Sequence, residues 1–327
     1  MFRVHIQNDA GNPLFAITAA QWRDAVTRAG ENPADYAPSF GDTLAELRAA
    51  ASAAEALIAP PGPLAASLPL VAPALQLIFC TTAGVDALAP FERLPRGVTL
   101  VCNRGIHGEK AGEYAIMAIL MLAMHLPALI GAQGRSMWEP RYTSTLAGRR
   151  VTVLGLGTLG AAAAARARSF AMSVTGISLR GRDHPACQRT LPASKLDDVL
   201  PESEFLLLAC PLTKLTRGIL NDRRLSLLPP AAGVVNIGRG ALIVEDALAD
   251  LLVAGHLGGA VLDVFASEPL APTHRFWRTP NLLVTPHISA DDPTTYNQRT
   301  LDRFLTALAA VRRGEAPRNL VDRARGY

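Results

Sequence analysis

The sequence predicts an α/β protein built from two doubly wound parallel-sheet domains with a cleft between them. Short runs that are apolar along most of their length alternate with helical segments at about the βαβ interval. A glycine turn of the form G-x-G-x-x-G joins one such run to an Ala-rich helix. The chain, at 327 residues, is long enough for two domains that each bury a core.

In the first hundred residues, "ALIAP" (56–60), "LQLIFCTTAGVD" (75–86) and "GVTLVCN" (97–103) read as strand ends opening into loops. "TLAELRAAASAAEAL" is helical by composition and spacing. The stretch Ala115 to Ala132, "AIMAILMLAMHLPALIGA", reads as one long helix and approaches the ~20 residues of a membrane span. It contains His125 and Pro127, lacks basic flanks and runs into the polar "QGRSMWEPR". A helix fully buried between domains or subunits fits those features better than a membrane span.

A second series starts at Arg150. "RRVTVLGLGTLG", "MSVTGIS", "EFLLLAC", "GVVNIG", "GAVLDVF" and "NLLVTP" are about six parallel strands. "AAAAARARSFA", "SKLDDVLPES" and "VEDALADLLVAG" are helices among them. The last segment, "TTYNQRTLDRFLTALAAVRRG", is helical with no further strand to serve, so it returns to the first domain. The expected division is 1–102 with 289–327 as a substrate domain, and 103–288 as a dinucleotide-binding domain.

Composition narrows the function. With 49% hydrophobic and 18% charged residues, the chain is neither disordered nor a charged tail. A net charge of +4, with arginines scattered and no aromatic interleaving, argues against nucleic-acid binding. "MFRVHIQND" has no signal-peptide pattern. Cys80, Cys102, Cys187 and Cys210 form no CxxC pair and have no histidine at zinc spacing. A reduced, cytoplasmic protein with no metal is expected.

In "VTVLGLGTLGAAAAARA", each glycine has its own physical job. Gly155 permits the tight turn, Gly157 lets backbone amides approach a pyrophosphate, and Gly160 lets helix and strand pack closely. The helix opens at Thr158 and Leu159, where unpaired N–H groups and the macrodipole favour phosphate. The domain is thus Rossmann-like, its companion Rossmann- or flavodoxin-like. At the end of "MSVTGIS", where a carboxylate would bind the ribose 2′-OH of NAD, stands Ser178, followed by Arg180 and Arg182. A hydroxyl and two guanidinium groups suit a 2′-phosphate, so NADP(H) is favoured over NAD(H).

Further on, "NIGRGAL" carries Arg239, "LDVFASEPL" carries Asp263 and Glu268, and "LLVTPHISA" carries His287. Each lies at the C-terminal end of an apolar strand, the edge where doubly wound sheets bind ligands. Arg239 can hold a substrate carboxylate and polarise the adjacent carbonyl. His287 can deliver a proton as hydride arrives, and Glu268 can orient and stabilise its imidazolium. Among other histidines, His107 reads as a loop residue that could border the pocket, and His125 as a hydrogen-bonded core residue. His184, His256 and His274 read as surface or turn positions.

Taken in order, "TTAGVD", "LGLGTLG", "CPLTKLTRGIL", "NIGRGALI", "DVFASEPL" and "TPHISA" resemble the motifs of the D-isomer-specific 2-hydroxyacid dehydrogenase family across nearly the whole chain. The resemblance implies Arg239, Glu268 and His287 as the catalytic residues. It implies that backbone amides at Ala83 and Gly84 take the substrate carboxylate alongside Arg239. Asp263 would hold the nicotinamide carboxamide, helped by the backbone near Ile237. Cys210, Pro211 and Thr216 would line the adenosine and pyrophosphate side. A homodimer through the coenzyme domains is also implied, with the helix after Glu113 near the interface. Ser178 is similar to the branch that reduces glyoxylate and hydroxypyruvate with NADPH, whereas Glu268 differs from the Gln of formate dehydrogenases. A reductase of larger or aromatic 2-oxoacids remains open, as does a non-catalytic sensor like the corepressors of this fold family. "NRGIHGEKAGEY" matches the family loosely apart from Glu113, so the substrate pocket is the least specified part.

Overall fold

Two all-parallel sheets organise the computed structural model, which describes residues 1–326. The first belongs to a unit made of Met1–Ile106 and the chain from Asp292 onward, the second to a unit spanning His107–Asp291. The sequence reading set these joints at 102–103 and 288–289.

In the first unit the strands are β1 (Phe2–Gln7), β2 (Tyr36–Gly41), β3 (Ala56–Ala59), β4 (Leu77–Cys80) and β5 (Thr99–Cys102), in the order β2-β1-β3-β4-β5. Every residue of β3 and β4 is buried, as expected for parallel strands covered on both faces. The sequence reading did not identify β1 and β2, for physical reasons. Strand β1 carries His5 and Gln7, buried but satisfied: His5 Nδ1 meets Ser39 Oγ at 2.9 Å and Nε2 meets Gln7 Oε1 at 3.2 Å. Strand β2 contains Pro38, which the edge position tolerates.

The expected helix at 43–57 is shorter, Leu44–Ala51. Thr43 Oγ1 accepts from the Glu46 N–H at 3.2 Å, and Glu46 Oε2 accepts from the Thr43 N–H at 3.0 Å. The final helix, Tyr296–Arg312, lies in the first unit. Its Leu301, Phe304, Leu305 and Leu308 share a core with Val4, Ile6, Trp22 and Phe79.

The second unit carries β6 (Arg150–Leu154), β7 (Ser173–Ser178), β8 (Arg189–Pro192), β9 (Phe205–Leu208), β10 (Gly233–Asn236), β11 (Gly259–Leu262) and β12 (Leu282–Val284). Their order is β12-β11-β10-β9-β6-β7-β8, with the direction of winding reversing beside β6. This is the doubly wound arrangement, with seven strands rather than about six. The additional strand, β8, is an edge strand of sequence RTLP with no fully buried residue, so it lacks the apolar run that marks the others. "SKLDDVLPES" holds only one α-helical turn, Leu196–Val199, between two 3-10 turns.

The expected single helix over 115–132 is two helices, Gly108–Ala123 and Leu126–Gly134, bent by 63°. Pro127 has no N–H to give and its ring collides with the carbonyl four residues back, so the first helix stops before it. His125 sits at the break with φ +51°, half-buried rather than in the core. In the single chain Met117, Met124 and Ile130 of this stretch are exposed. Among the described residues no single helix is long and apolar enough to cross a membrane.

Phe304 is fully buried, with its ring 5.9 Å from Phe79 and 5.8 Å from Trp22. Phe304→Ala is expected to lower stability by about 3–5 kcal/mol. Urea denaturation followed by tryptophan fluorescence would measure it.

Candidate active site

The glycine turn follows β6. Gly155 has φ +97°, and a Cβ there would lie 2.6 Å from the Cys210 backbone. A Cβ on Gly160 would lie 1.8 Å from the Gly155 carbonyl oxygen, so helix and strand approach as only glycine allows. Gly157 differs, since a Cβ there would meet nothing within 4 Å. It is the N-cap of the helix Thr158–Ser169 and offers no side-chain cap to the first N–H groups. The turn therefore presents open space in front of amides that need an acceptor, which fits a bound pyrophosphate.

Ser178 ends β7. Its Oγ accepts from the Gly181 N–H at 3.1 Å, leaving the hydroxyl hydrogen to donate elsewhere. Arg180 and Arg182 are exposed on the turn that follows.

Cys210 lies just beyond β9 and is buried, which pushes its thiol up to about 12. Pro211 is exposed, and its carbonyl accepts from Thr216 Oγ1 at 2.7 Å, closing the loop. Ile237 follows β10, buried, its N–H on the Leu208 carbonyl at 3.1 Å. Arg239 comes two residues later, with Nη1 on the Gly238 carbonyl at 2.7 Å. Asp263 and Glu268 follow β11, and His287 follows β12. All these residues thus stand at one edge of one sheet.

Asp263 is fully buried, yet its carboxylate is satisfied. Oδ1 accepts from Thr285 Oγ1 at 2.6 Å and from the Ile288 N–H at 2.9 Å, and Oδ2 accepts from the Ser289 N–H at 2.9 Å. The loop thus wrapped around it holds His287 at φ +54°, a left-handed conformation rare for a side-chain-bearing residue. Glu268 Oε2 meets His287 Nδ1 at 2.7 Å, while Oε1 accepts from the Phe265 N–H at 2.9 Å. The hydrogen bond to Glu268 raises the His287 pKa above its ordinary value; burial opposes it, the charges of Glu268 and Asp263 add to it, and Arg239 subtracts. For Glu268 burial pushes upward, but the bonds from His287 and Phe265, with the charges of His287 and Arg239, leave its pKa below the ordinary value.

In the first unit, Ala83 and Gly84 follow β4, half-buried, on a loop where Thr82 Oγ1 donates to the Gly84 carbonyl at 2.7 Å. Asn103 Nδ2 donates to the Thr81 carbonyl at 2.7 Å and steadies the same loop.

The sequence reading did not single out Tyr114 or Thr285. Tyr114 Oη meets Thr285 Oγ1 at 2.6 Å, and Thr285 in turn donates to Asp263. Burial pushes the Tyr114 phenol up to about 12. The only signal was adjacency: Tyr114 follows Glu113, and Thr285 precedes Pro286 in the histidine motif.

Comparison with known proteins gives the family. The profile of the D-isomer specific 2-hydroxyacid dehydrogenase NAD binding domain matches residues 116–289. The chain belongs to this family. A glyoxylate/hydroxypyruvate reductase A of Serratia proteamaculans is 32% identical over 260 residues, covering 77% of this chain and 82% of its own. A D-isomer specific 2-hydroxyacid dehydrogenase from Xanthobacter autotrophicus, solved with NADPH and MES, superposes with TM-score 0.82 at 28% identity, covering 99% of each chain. An NADPH-dependent glyoxylate/hydroxypyruvate reductase from Sinorhizobium meliloti, solved with NADP and sulfate, gives TM-score 0.81 at 27% identity over 100% of both chains. The protein is thus a D-2-hydroxyacid dehydrogenase, an oxidoreductase that uses a nicotinamide cofactor on a small molecule.

The glycines of this dehydrogenase separate folding from binding. Gly160→Ala is expected to lower the melting temperature sharply, because the new methyl overlaps a carbonyl. Gly157→Ala should melt normally yet bind cofactor about tenfold or more weaker, since its methyl intrudes only on the ligand's space. Thermal melts and cofactor titration calorimetry on the two variants would show the contrast.

Proposed function

We propose that this dehydrogenase reduces a small 2-oxoacid of the glyoxylate or hydroxypyruvate type to the D-2-hydroxyacid with NADPH, His287 acting as general acid. The observation that carries the reading is the 2.7 Å contact between His287 Nδ1 and Glu268 Oε2. It fixes the ring so that Nε2 is the nitrogen left to face a substrate.

On this reading Arg239 holds the substrate carboxylate, assisted by the amides of Ala83 and Gly84, and draws electron density from the neighbouring carbonyl. His287 Nε2–H gives its proton to the carbonyl oxygen, and Glu268 steadies the imidazolium beforehand. The bound nicotinamide supplies the hydride that the carbonyl carbon receives. Asp263 accepts three hydrogen bonds from its own chain. Its full burial leaves neither oxygen open to the nicotinamide carboxamide, so Asp263 serves the site through the loop it fixes. Gly155, Gly157, Thr158, Leu159 and Gly160 cradle the pyrophosphate, while Cys210, Pro211, Thr216 and Ile237 line the neighbouring side.

Ser178, Arg180 and Arg182 take the 2′-phosphate, in keeping with the NADP-bound relative of Sinorhizobium meliloti. A second copy of the chain covers the exposed Met117, Met124 and Ile130, together with Met137, Trp138 and Tyr142, to make a homodimer through the coenzyme unit. The setting is a reducing, cytoplasmic one. Retention of Arg239, Glu268 and His287 favours an enzyme over a non-catalytic sensor.

His287→Gln is expected to cut turnover of glyoxylate or hydroxypyruvate by about a hundredfold or more while NADPH still binds. Steady-state assays with a cofactor titration would check this, and near-normal turnover would overturn the reading. Because the His287 pKa is raised, the acid form persists to higher pH. Reduction should therefore be level at low pH and fall as pH rises through that pKa. Glu268→Gln should move the fall to lower pH.

Arg180→Ala should raise KM for NADPH by about tenfold while leaving KM for NADH nearly unchanged. Equal changes with both cofactors would remove these residues from 2′-phosphate recognition and leave the chemistry intact.

A further inference from the structure

We infer that His107 and Asp291 form a second acid–imidazole pair that positions the far end of the His287 loop and tunes the proton affinity of His287. The inference rests on the proposed role of His287 as proton donor.

The loop runs from Thr285, just after β12, to Asp291. Its near half is fixed by Asp263, which takes the Thr285 hydroxyl and the Ile288 and Ser289 amides, while the His287 N–H reaches the Asp263 carbonyl at 2.9 Å. At the far end, the Ala290 carbonyl and Asp291 Oδ1 lie 3.3 and 3.4 Å from His107 Nδ1. Both are acceptors, so Nδ1 carries its hydrogen and is shared between them.

His107 is buried and directly precedes the helix Gly108–Ala123, where its carbonyl accepts from the Ala111 N–H at 3.0 Å. Tyr114, on the same helix, holds Thr285 at 2.6 Å. One rigid element thus grips the loop at its first residue and again at its last, with a strained His287 between. A left-handed histidine persists only where its surroundings determine it from both sides.

The pair also carries charge. Burial raises the Asp291 pKa; the positive charges of His107 and His287 pull it back, and Asp263 adds to the rise. Asp291 therefore faces His107, His287 and Asp263. His287 faces Glu268, Asp263 and Arg239, and its positive charge acts on Asp291 four residues further along the same loop. An ionised Asp291 favours the protonated form of His287, and the positive charge of His107 favours that ionisation.

The test uses three variants beside His287→Gln. Asp291→Asn keeps an oxygen for His107 Nδ1–H and removes the charge. It should shift the alkaline fall of kcat toward lower pH by about half a pH unit, leaving NADPH affinity unchanged. His107→Ala should lower kcat about tenfold with KM for NADPH unaltered, because the loop end is released. His107→Asn, which offers an N–H near the Nδ1 position, should restore most of that loss.

An Asp291→Asn profile that superposes on the wild type would overturn the tuning role, whether or not His107→Ala folds. Wild-type kcat in His107→Ala, or no recovery in His107→Asn, would overturn the positioning role. If His287→Gln itself retains turnover, the general-acid reading fails instead. An inactive His287→Gln beside an unmoved Asp291→Asn profile removes the tuning role alone.

Discussion

The arrangement of the candidate site depends on one buried carboxylate. Asp263 is fully buried, and a carboxyl group buried without hydrogen-bond partners is costly. Three donors from the Thr285–Ser289 stretch meet it, and charge-assisted hydrogen bonds of this kind are the strong ones. To bring those donors inward the backbone must turn through His287 at φ +54°. That turn leaves the imbedded amides facing Asp263 and the imidazole half-exposed, in reach of Glu268. Glu268 comes from the same strand end as Asp263, so the tail of β11 sets both the course of the loop and the orientation of the ring. Fixing the two carboxylates fixes the histidine.

The parallel sheet makes such an assembly economical. Because all strands run the same way, β6, β7, β9, β10, β11 and β12 all open at a single edge. Strands β9, β10 and β11 are buried at every position and, Asn236 apart, carry no polar side chain, so the other polar residues stand in the segments that follow them. The reversal of winding beside β6 separates the connections and leaves the glycine turn unobstructed there. On the proposed reading, cofactor contacts and proton chemistry thereby share one rigid base.

What the sequence made legible follows from that architecture. Strands that are apolar throughout stand out against their connections, and Gly155, Arg239, Glu268 and His287 lie immediately after them. The edge strands were obscure because their environment asks less of them: β2 tolerates Pro38, and β8 has no fully buried residue. Strand β1 hid behind His5 and Gln7, whose burial is offset by hydrogen bonds that no local pattern announces. Pro127 marked the helix break, but the apolar composition on both sides masked it. His107 could not be told from an ordinary loop histidine, because its partners, Ala290 and Asp291, are distant in sequence and meet it only in the folded unit.

The electrostatics of His287 have a consequence for how the reaction would be ordered. Glu268 and Asp263 raise its proton affinity, while Arg239 lowers it. A general acid works best when its pKa lies near the working pH, so each of these charges bears on how readily His287 gives up its proton. The guanidinium offsets part of the carboxylates' effect in the free enzyme. On the proposed reading, a substrate carboxylate that pairs with Arg239 cancels the offset. The His287 proton is then held more firmly once substrate is in place than before. Substrate binding and proton loading favour each other, as linkage requires. The same anion that orients the carbonyl thus helps to keep the acid charged until hydride transfer makes the carbonyl oxygen basic enough to take the proton.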